Sequence, residues 1–340
     1  MRASPHRDEL LGFLSTRRDE ADAERALPVD PRRAEQPATL VLVDAAADVP
    51  RSLSAHAALR VLPLSLRLHG RRLRDARASS ERLRRLDGAR LRQARVELPD
   101  AVELAWRLHP NLALNADVLI ALGDLLGDAS AALQQMLAEH DAEIRELRAS
   151  RGLPGRLALH RIDCGGAFAV PALHARVLVH ELERGRRSAD VVALAAKLPH
   201  ATRQWLLPRT PGQLGDTLQA CAQPRLQAWR EACSGLTLLN GHPLLYGDAD
   251  GLRCIARVRG WPRAVDALCA QLRDALHERA KLQISYDGSI AELTAHPAVD
   301  ALRAHAARLG VTLHVTHMSV AARVRAGAGT LAVALLDQDG

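Results

Sequence analysis

Thr39-Leu-Val-Leu-Val-Asp44-Ala-Ala-Ala-Asp48-Val-Pro50 opens on an apolar run with no polar alternation and closes on two acids and a proline. A short run of this kind is the pattern of a strand buried on both faces, as strands of parallel sheets are. Asp44 then stands at the strand's carboxyl end, where open parallel sheets place ligand-binding residues, and it can equally cap the turn that follows.

Outward from this segment the same pattern returns. Residues 116–122 and 157–163 are further buried-strand candidates, and 59–66 is another whose Pro63 marks an edge or a strand end. Between them, helical spacing of apolar residues is expected over 79–91, 100–112, 130–150 and 172–184. Strands alternating with helices of this length imply right-handed crossovers and a parallel sheet. The reading is an α/β domain over residues 38–165. After about residue 186 helices at 188–198, 262–276 and 296–309 mix with strands at 202–207, 236–245, 252–258, 281–286, 311–317 and 330–336. The Gly/Asp-rich link 247–251 reads as a hairpin, so residues 166–340 are expected to form an α+β domain with a mixed sheet. Residues 1–37 are polar and proline-punctuated and read as a flexible basic extension.

At 340 residues and 48% apolar content, the chain is long enough for a sizeable core. It has no uninterrupted apolar run of membrane-spanning length and no secretory pattern in residues 1–15, so a soluble cytoplasmic protein without stable membrane insertion is expected. Five cysteines without CxxC spacing argue for reduced thiols. The net charge of +7 would ordinarily suggest nucleic acid, yet only Lys197 and Lys281 are lysines, the arginines are interleaved with acids, and aromatics make up only 2%. Stacking platforms are therefore scarce, and the charge reads as a solvated surface.

Single motifs exclude more than they assign. No phosphate-binding GxxxxGK[ST], Gly-rich dinucleotide turn, GxSxG or HExxH occurs, and His314 and His317 sit three apart on opposite faces of a strand, so neither a cofactor nor a metal is expected. Gly123-Asp124 follows a strand candidate, with Asp128 and Ser130 opening the next helix, where capping competes with ligand contact. Arg323-Val-Arg325-Ala-Gly-Ala-Gly329 reads as a small-residue turn before an edge strand, or as a place where backbone approaches a ligand.

The order of these segments over about residues 39–336 resembles the DegV family of fatty-acid-binding proteins. Val43-Asp44-Ala45-Ala46-Ala47-Asp48-Val49-Pro50 is similar to the family's T-D-S-x-x-D-[LI]-P. Val61-Leu62-Pro63-Leu64 and the 70–75 segment follow its V-x-P-L and G-x-x-Y-x-D, and Arg161-Ile162-Asp163-Cys164 looks like its I-D-S. Residues 241–259 follow its K-P-[IL]-[IL]…D-G…K-x-R stretch, and 325–329 its terminal H-x-G-P-G.

The resemblance implies two lobes enclosing a long-chain fatty acid, its carboxylate held by hydroxyls and presented to a separate fatty-acid kinase by a protein that is not an enzyme. The departures fall on the headgroup positions. Glu97 and Asp100 stand in the T-S-x-P-S place, Asp124 and Asp128 in the S-S-x-L-S-G-T place, Ala45 follows Asp44, Cys164 replaces a serine and Arg325 the histidine. These eight positions, Asp44 included, are the expected ligand-binding set. An unpaired acid there would repel a carboxylate by about 4 kcal/mol at 4 Å. Either Arg325, with Arg95, clamps the carboxylate, or the pocket takes a neutral or cationic headgroup. A ligand-free protein with a scaffolding role is a further reading, and an enzyme using Glu97 or the Asp124/Asp128 pair as acid and base is another.

Overall fold

The computed structural model describes residues 38–62, 64–74, 88–104, 116–123, 129–220, 241–248 and 251–337. The opening apolar run forms strand β1 (Thr39–Asp44), which pairs in parallel with β2 (Leu59–Leu62). β2 ends just before Pro63, so the run expected at 59–66 divides between two sheets. The chain then doubles into a small antiparallel sheet of β3 (Ser65–Leu68), β4 (Arg71–Arg74) and β5 (Arg95–Glu97), in the order β4-β3-β5. The sequence reading had no place for this sheet. His69 (φ 50°) and Gly70 (φ 77°) turn its first hairpin in the left-handed region that such two-residue turns require.

Returning to the first sheet, β6 (Val118–Gly123) lies on the other side of β1 and β7 (Ala158–Asp163) beyond it, giving the parallel order β2-β1-β6-β7. The helix expected over 130–150 is two helices, Ser130–Glu139 and Asp141–Ala149, which meet at His140. Arg148, fully buried, pins the second helix: it donates to the carbonyls of Ala116 and Pro154, both at 2.5 Å, and to the Asp117 carboxylate.

The second lobe is a six-stranded mixed sheet in the order β10-β9-β8-β13-β11-β12. Its strands are β8 (Thr202–Leu207), β9 (His242–Asp248), β10 (Gly251–Val258), β11 (Lys281–Tyr286), β12 (Leu313–His317) and β13 (Leu331–Leu336). β9 and β10 form the antiparallel pair expected from the Gly/Asp-rich link. One face of the sheet packs on the helices Trp261–Ala275 and Pro297–Arg308 through Leu207, Ile284, Val333 and Leu335.

The other face meets the first lobe across one central helix, Ala169–Glu183, the expected helix begun three residues earlier. Eleven of its fifteen residues are buried because it has apolar surface on both sides. A single apolar core runs from Val41, Leu59 and Ile120 through Phe168, Leu173 and Leu178 to Leu206, Ala332 and Leu336. Along this helix the two lobes are joined by packed side chains. The expected extension, residues 1–37, lies outside the described residues, as do most of the 79–91 and 100–112 segments.

Candidate functional site

The loop that leaves β1 runs into the second lobe. Asp48, 2% exposed, accepts from the Ser319 amide at 2.6 Å and from the Ser285 hydroxyl, while its carbonyl accepts from Thr316 Oγ1 at 3.2 Å. Gln283 Nε2 donates to Thr316 Oγ1 at 3.2 Å. Ser285 and Thr316 face this way because alternate residues of β11 and β12 do, and their neighbours Ile284 and Val315 go to the opposite core. Ser319 in turn caps the helix Val320–Ala326 by accepting from the Ala322 amide at 3.1 Å. Asp48 thereby fixes the start of this terminal helix to the carboxyl end of the first sheet.

The small sheet covers that helix. Leu66, Ala94, Val320 and Val324 form one apolar cluster, and Ala45, Ala46, Leu64 and Ala321 form another, with Val96 packed against both. Both clusters are separate from the three larger cores and draw on both lobes. Arg325, 6% exposed, lies one helical turn past Ala321 on the same face. Its carbonyl accepts from Thr217 Oγ1 at 2.9 Å.

The terminal turn is built from glycine by necessity. Gly327 sits at φ 92° and ψ 156°, a region open essentially to glycine alone, and a Cβ there would collide with Thr210. Gly329 (φ 76°) is crowded by Arg209, and its amide donates to Asp287 at 2.8 Å, as does Arg323 Nε. A cleft of about 700 Å³ opens beside this turn, lined by Arg209, Thr210, His242, Asp287, Arg323 and Gly329. Its arginines are engaged: Arg323 with Asp287, and Arg209 over the Trp261 ring at 5.4 Å.

The expected ligand-binding residues fall at different places. Asp44 Oδ1 accepts from the amides of Ala46 at 2.8 Å and Ala47 at 3.2 Å, which folds the loop after β1. Ala45 lies in the apolar cluster that includes Ala321, one helical turn before Arg325. Glu97 pairs with Arg67 at 2.5 Å and Arg72 at 3.6 Å, and strand alternation sends it and Arg95 away from the face on which Val96 meets the clusters. Its charge is neutralised, so the repulsion expected of an unpaired acid does not arise at this residue. Asp100 accepts from the Glu103 amide at 2.7 Å, capping a helical turn at 101–104. Cys164 is buried in the core shared by the lobes. Asp124 and Asp128 lie outside the described residues.

Sequence reading takes Asp48 only as a motif acid and has no role for Ser285, Thr316 and Ser319. Asp48 was visible as the second acid before Pro50, and Ser319 as a helix-capping residue ahead of Val320. Ser285 and Thr316 carried no local signal, since their role depends on pairing β11 with β12.

No family model matches the chain, and no curated protein matches it. Solved structures do. The chain is similar to a DegV family protein from Thermus thermophilus, described as binding fatty acid, at 20% identity and a TM-score of 0.64, over 88% of this chain and 99% of that one. It is similar to a stearic acid-binding protein from Eubacterium ventriosum at 14% identity and a TM-score of 0.67, over 88% and 98%. Against the fatty-acid-binding DegV of Bacillus subtilis the figures are 14% and 0.63, over 89% and 100%. The two-lobed fold expected from the sequence is thus the fold of the DegV proteins.

Proposed function

We propose that the chain is a non-catalytic binding protein for a long-chain fatty acid or related acyl lipid, held between the small sheet of the first lobe and the terminal helix of the second. The observation that carries this reading is Arg325, nearly buried on the same helix face as Ala321, at the edge of apolar clusters to which both lobes contribute. The fold shared with proteins described as fatty-acid-binding supports it. Burying an acyl chain is worth about 0.8 kcal/mol per methylene, so an apolar layer supplies ample affinity. The carboxylate needs donors to offset its desolvation, and a guanidinium provides them in a planar fork.

In this reading the alanines at positions 45, 46 and 321 leave the chain its room, and the small sheet lifts from the terminal helix to admit it. Arg325 replaces the hydroxyl and histidine contacts that the family resemblance implies. The protein acts in the cytoplasm and hands the exposed end of its ligand to a separate fatty-acid kinase.

The test is native mass spectrometry of the full chain purified from cells, followed by solvent extraction of what it carries. One acyl species per chain is expected, and Arg325→Met is expected to lose it while keeping the fold. A wild-type chain that extracts empty, and stays empty after incubation with fatty acids, would remove the reading and leave the ligand-free scaffold in its place.

A further inference from the structure

A second cavity, of about 590 Å³, lies at the opposite end of the sheet face that carries Ser285 and Thr316. It sits between the carboxyl-terminal half of the central helix and the amino-terminal ends of β11 and β12, with Leu53 lining it from the first lobe. Lys281 opens β11, and Ser285, which holds Asp48, follows four residues later, about 13 Å away along an extended strand. This groove is therefore separate from the apolar clusters around Arg325.

Besides His180 and Arg279, three nitrogen-bearing side chains line it from three elements: Arg176 from the central helix, Lys281 from β11 and His314 from β12. Lys281 and His314 share the sheet face that meets the helix, because Gln283, two residues from Lys281, pairs with His314. Arg176 Nη2 donates to the Leu282 carbonyl at 3.4 Å, while its Nη1 is buried without a hydrogen-bond partner among the described residues. The side chains of Lys281 and His314 make no hydrogen bond or ion pair among the described residues. Of the nearby acids, Glu183 binds His56 at 2.9 Å and Glu181, which acts on Lys281, binds Arg186 at 2.9 Å, while Glu278 also lines the groove.

The electrostatics show what the geometry leaves unbalanced. Burial, helped by the neighbouring Arg176 charge, pushes His314 down to about 4. Burial lowers Lys281 as well, with Glu181 opposing and Arg176 and Arg184 adding to the effect. Arg176 itself is brought down to about 10 by burial. A guanidinium kept only for structure is surrounded by acceptors, as Arg148 is by two carbonyls and a carboxylate. Arg176 has one long bond and an open nitrogen.

We propose that this groove binds a phosphate-type oxyanion, either orthophosphate or the terminal phosphate of an organic ligand, held by Arg176, Lys281 and His314. A guanidinium fork, an ammonium and an imidazole arriving from three directions suit a tetrahedral anion with several acceptor oxygens better than a planar carboxylate, which one arginine satisfies. Leu53, Val177 and Val311 give the groove an apolar wall that an organic phosphate would use and a free ion would not.

The test is calorimetric titration of the full chain with inorganic phosphate at constant ionic strength, with chloride as the control. Saturable binding is expected, weakened at least tenfold by Arg176→Met and by Lys281→Met, with each variant's fold checked by circular dichroism. Hexyl phosphate and hexanoate complete the series. Tenfold tighter binding of hexyl phosphate than of inorganic phosphate identifies an organic phosphate as the occupant, and equal affinity identifies the free ion. No saturable response of the wild-type chain to either phosphate would overturn the proposal, as would hexanoate binding as tightly as hexyl phosphate. Should Arg176→Met fail to fold, an unchanged affinity in Lys281→Met overturns it equally. Loss of acyl binding at Arg325 would leave this result untouched.

Discussion

Asp48 is a first-lobe carboxylate placed where removing it leaves two donors of the second lobe unsatisfied. The Ser319 amide and the Ser285 hydroxyl both point at it from buried or half-buried positions. Asp48→Ala is expected to lower unfolding free energy by about 3 kcal/mol, because a buried donor left without its acceptor costs about 1–3 kcal/mol. Asp48→Asn keeps one acceptor oxygen and is expected to cost roughly half as much. Urea denaturation of the two variants measures the difference, and equal losses would mean that only one of the two bonds matters. His174 offers a pH test. It is fully buried in the central helix, shares a 2.8 Å hydrogen bond with Thr202 Oγ1, and is pushed down to about 3 by burial. Its folded value lies below the ordinary one near 6.5, so the stability it contributes is present above pH 6.5 and is lost as pH falls toward 3. Between pH 7 and pH 4 the wild type should lose about 3 kcal/mol more than His174→Gln. Parallel stability curves for the two proteins would show that the imidazole does not stay neutral.

Among the elements, the terminal turn ties conformation most closely to sequence. Gly327→Ala meets both a forbidden backbone region and the Thr210 side chain, whereas Gly310→Ala meets only a positive φ of 69° in open space. The first is expected to cost about 3 kcal/mol and the second about 1 kcal/mol, read from thermal unfolding. Similar costs would mean that Thr210 yields to the new methyl group. The same turn shows what local sequence could carry. The two glycines announced a special backbone, but the turn expected over 323–329 takes in the last four residues of the helix Val320–Ala326, in which Arg323 and Arg325 interrupt the apolar pattern. Both arginines are nearly buried, which is a property of what packs around them and not of their neighbours in the chain. The parallel strands of the first sheet were legible because burial on both faces leaves continuous apolar runs. The small sheet was not, since its strands run three or four residues and alternate leucine or valine with exposed arginine. The helix Pro211–Ala220 likewise went unread, its proline and glycine at the start outweighing Leu214 and Leu218. At the candidate site, Arg325 and the Asp44–Pro50 loop could be found from their place in the motif order. The pairing of Glu97 with Arg67 and Arg72 depends on the register of β3 with β5 and on the β3–β4 hairpin, so the acid looked unpaired in the sequence.

For the molecule as a whole, packed side chains among the described residues join the two lobes. One continuous core passes through the central helix, and Asp48 locks the loop after β1 to the terminal helix. The small sheet rests on the terminal helix through two minor apolar clusters of its own. In the proposed carrier this layer is the one that opens. The most direct measurement is titration of the delipidated full chain with a long-chain fatty acid, followed by the change in Trp fluorescence or by calorimetry. The account predicts saturation at one acyl chain per polypeptide and an affinity at least tenfold weaker in Arg325→Met. Absence of saturable binding by the wild-type chain, or undiminished affinity in the variant, would contradict it.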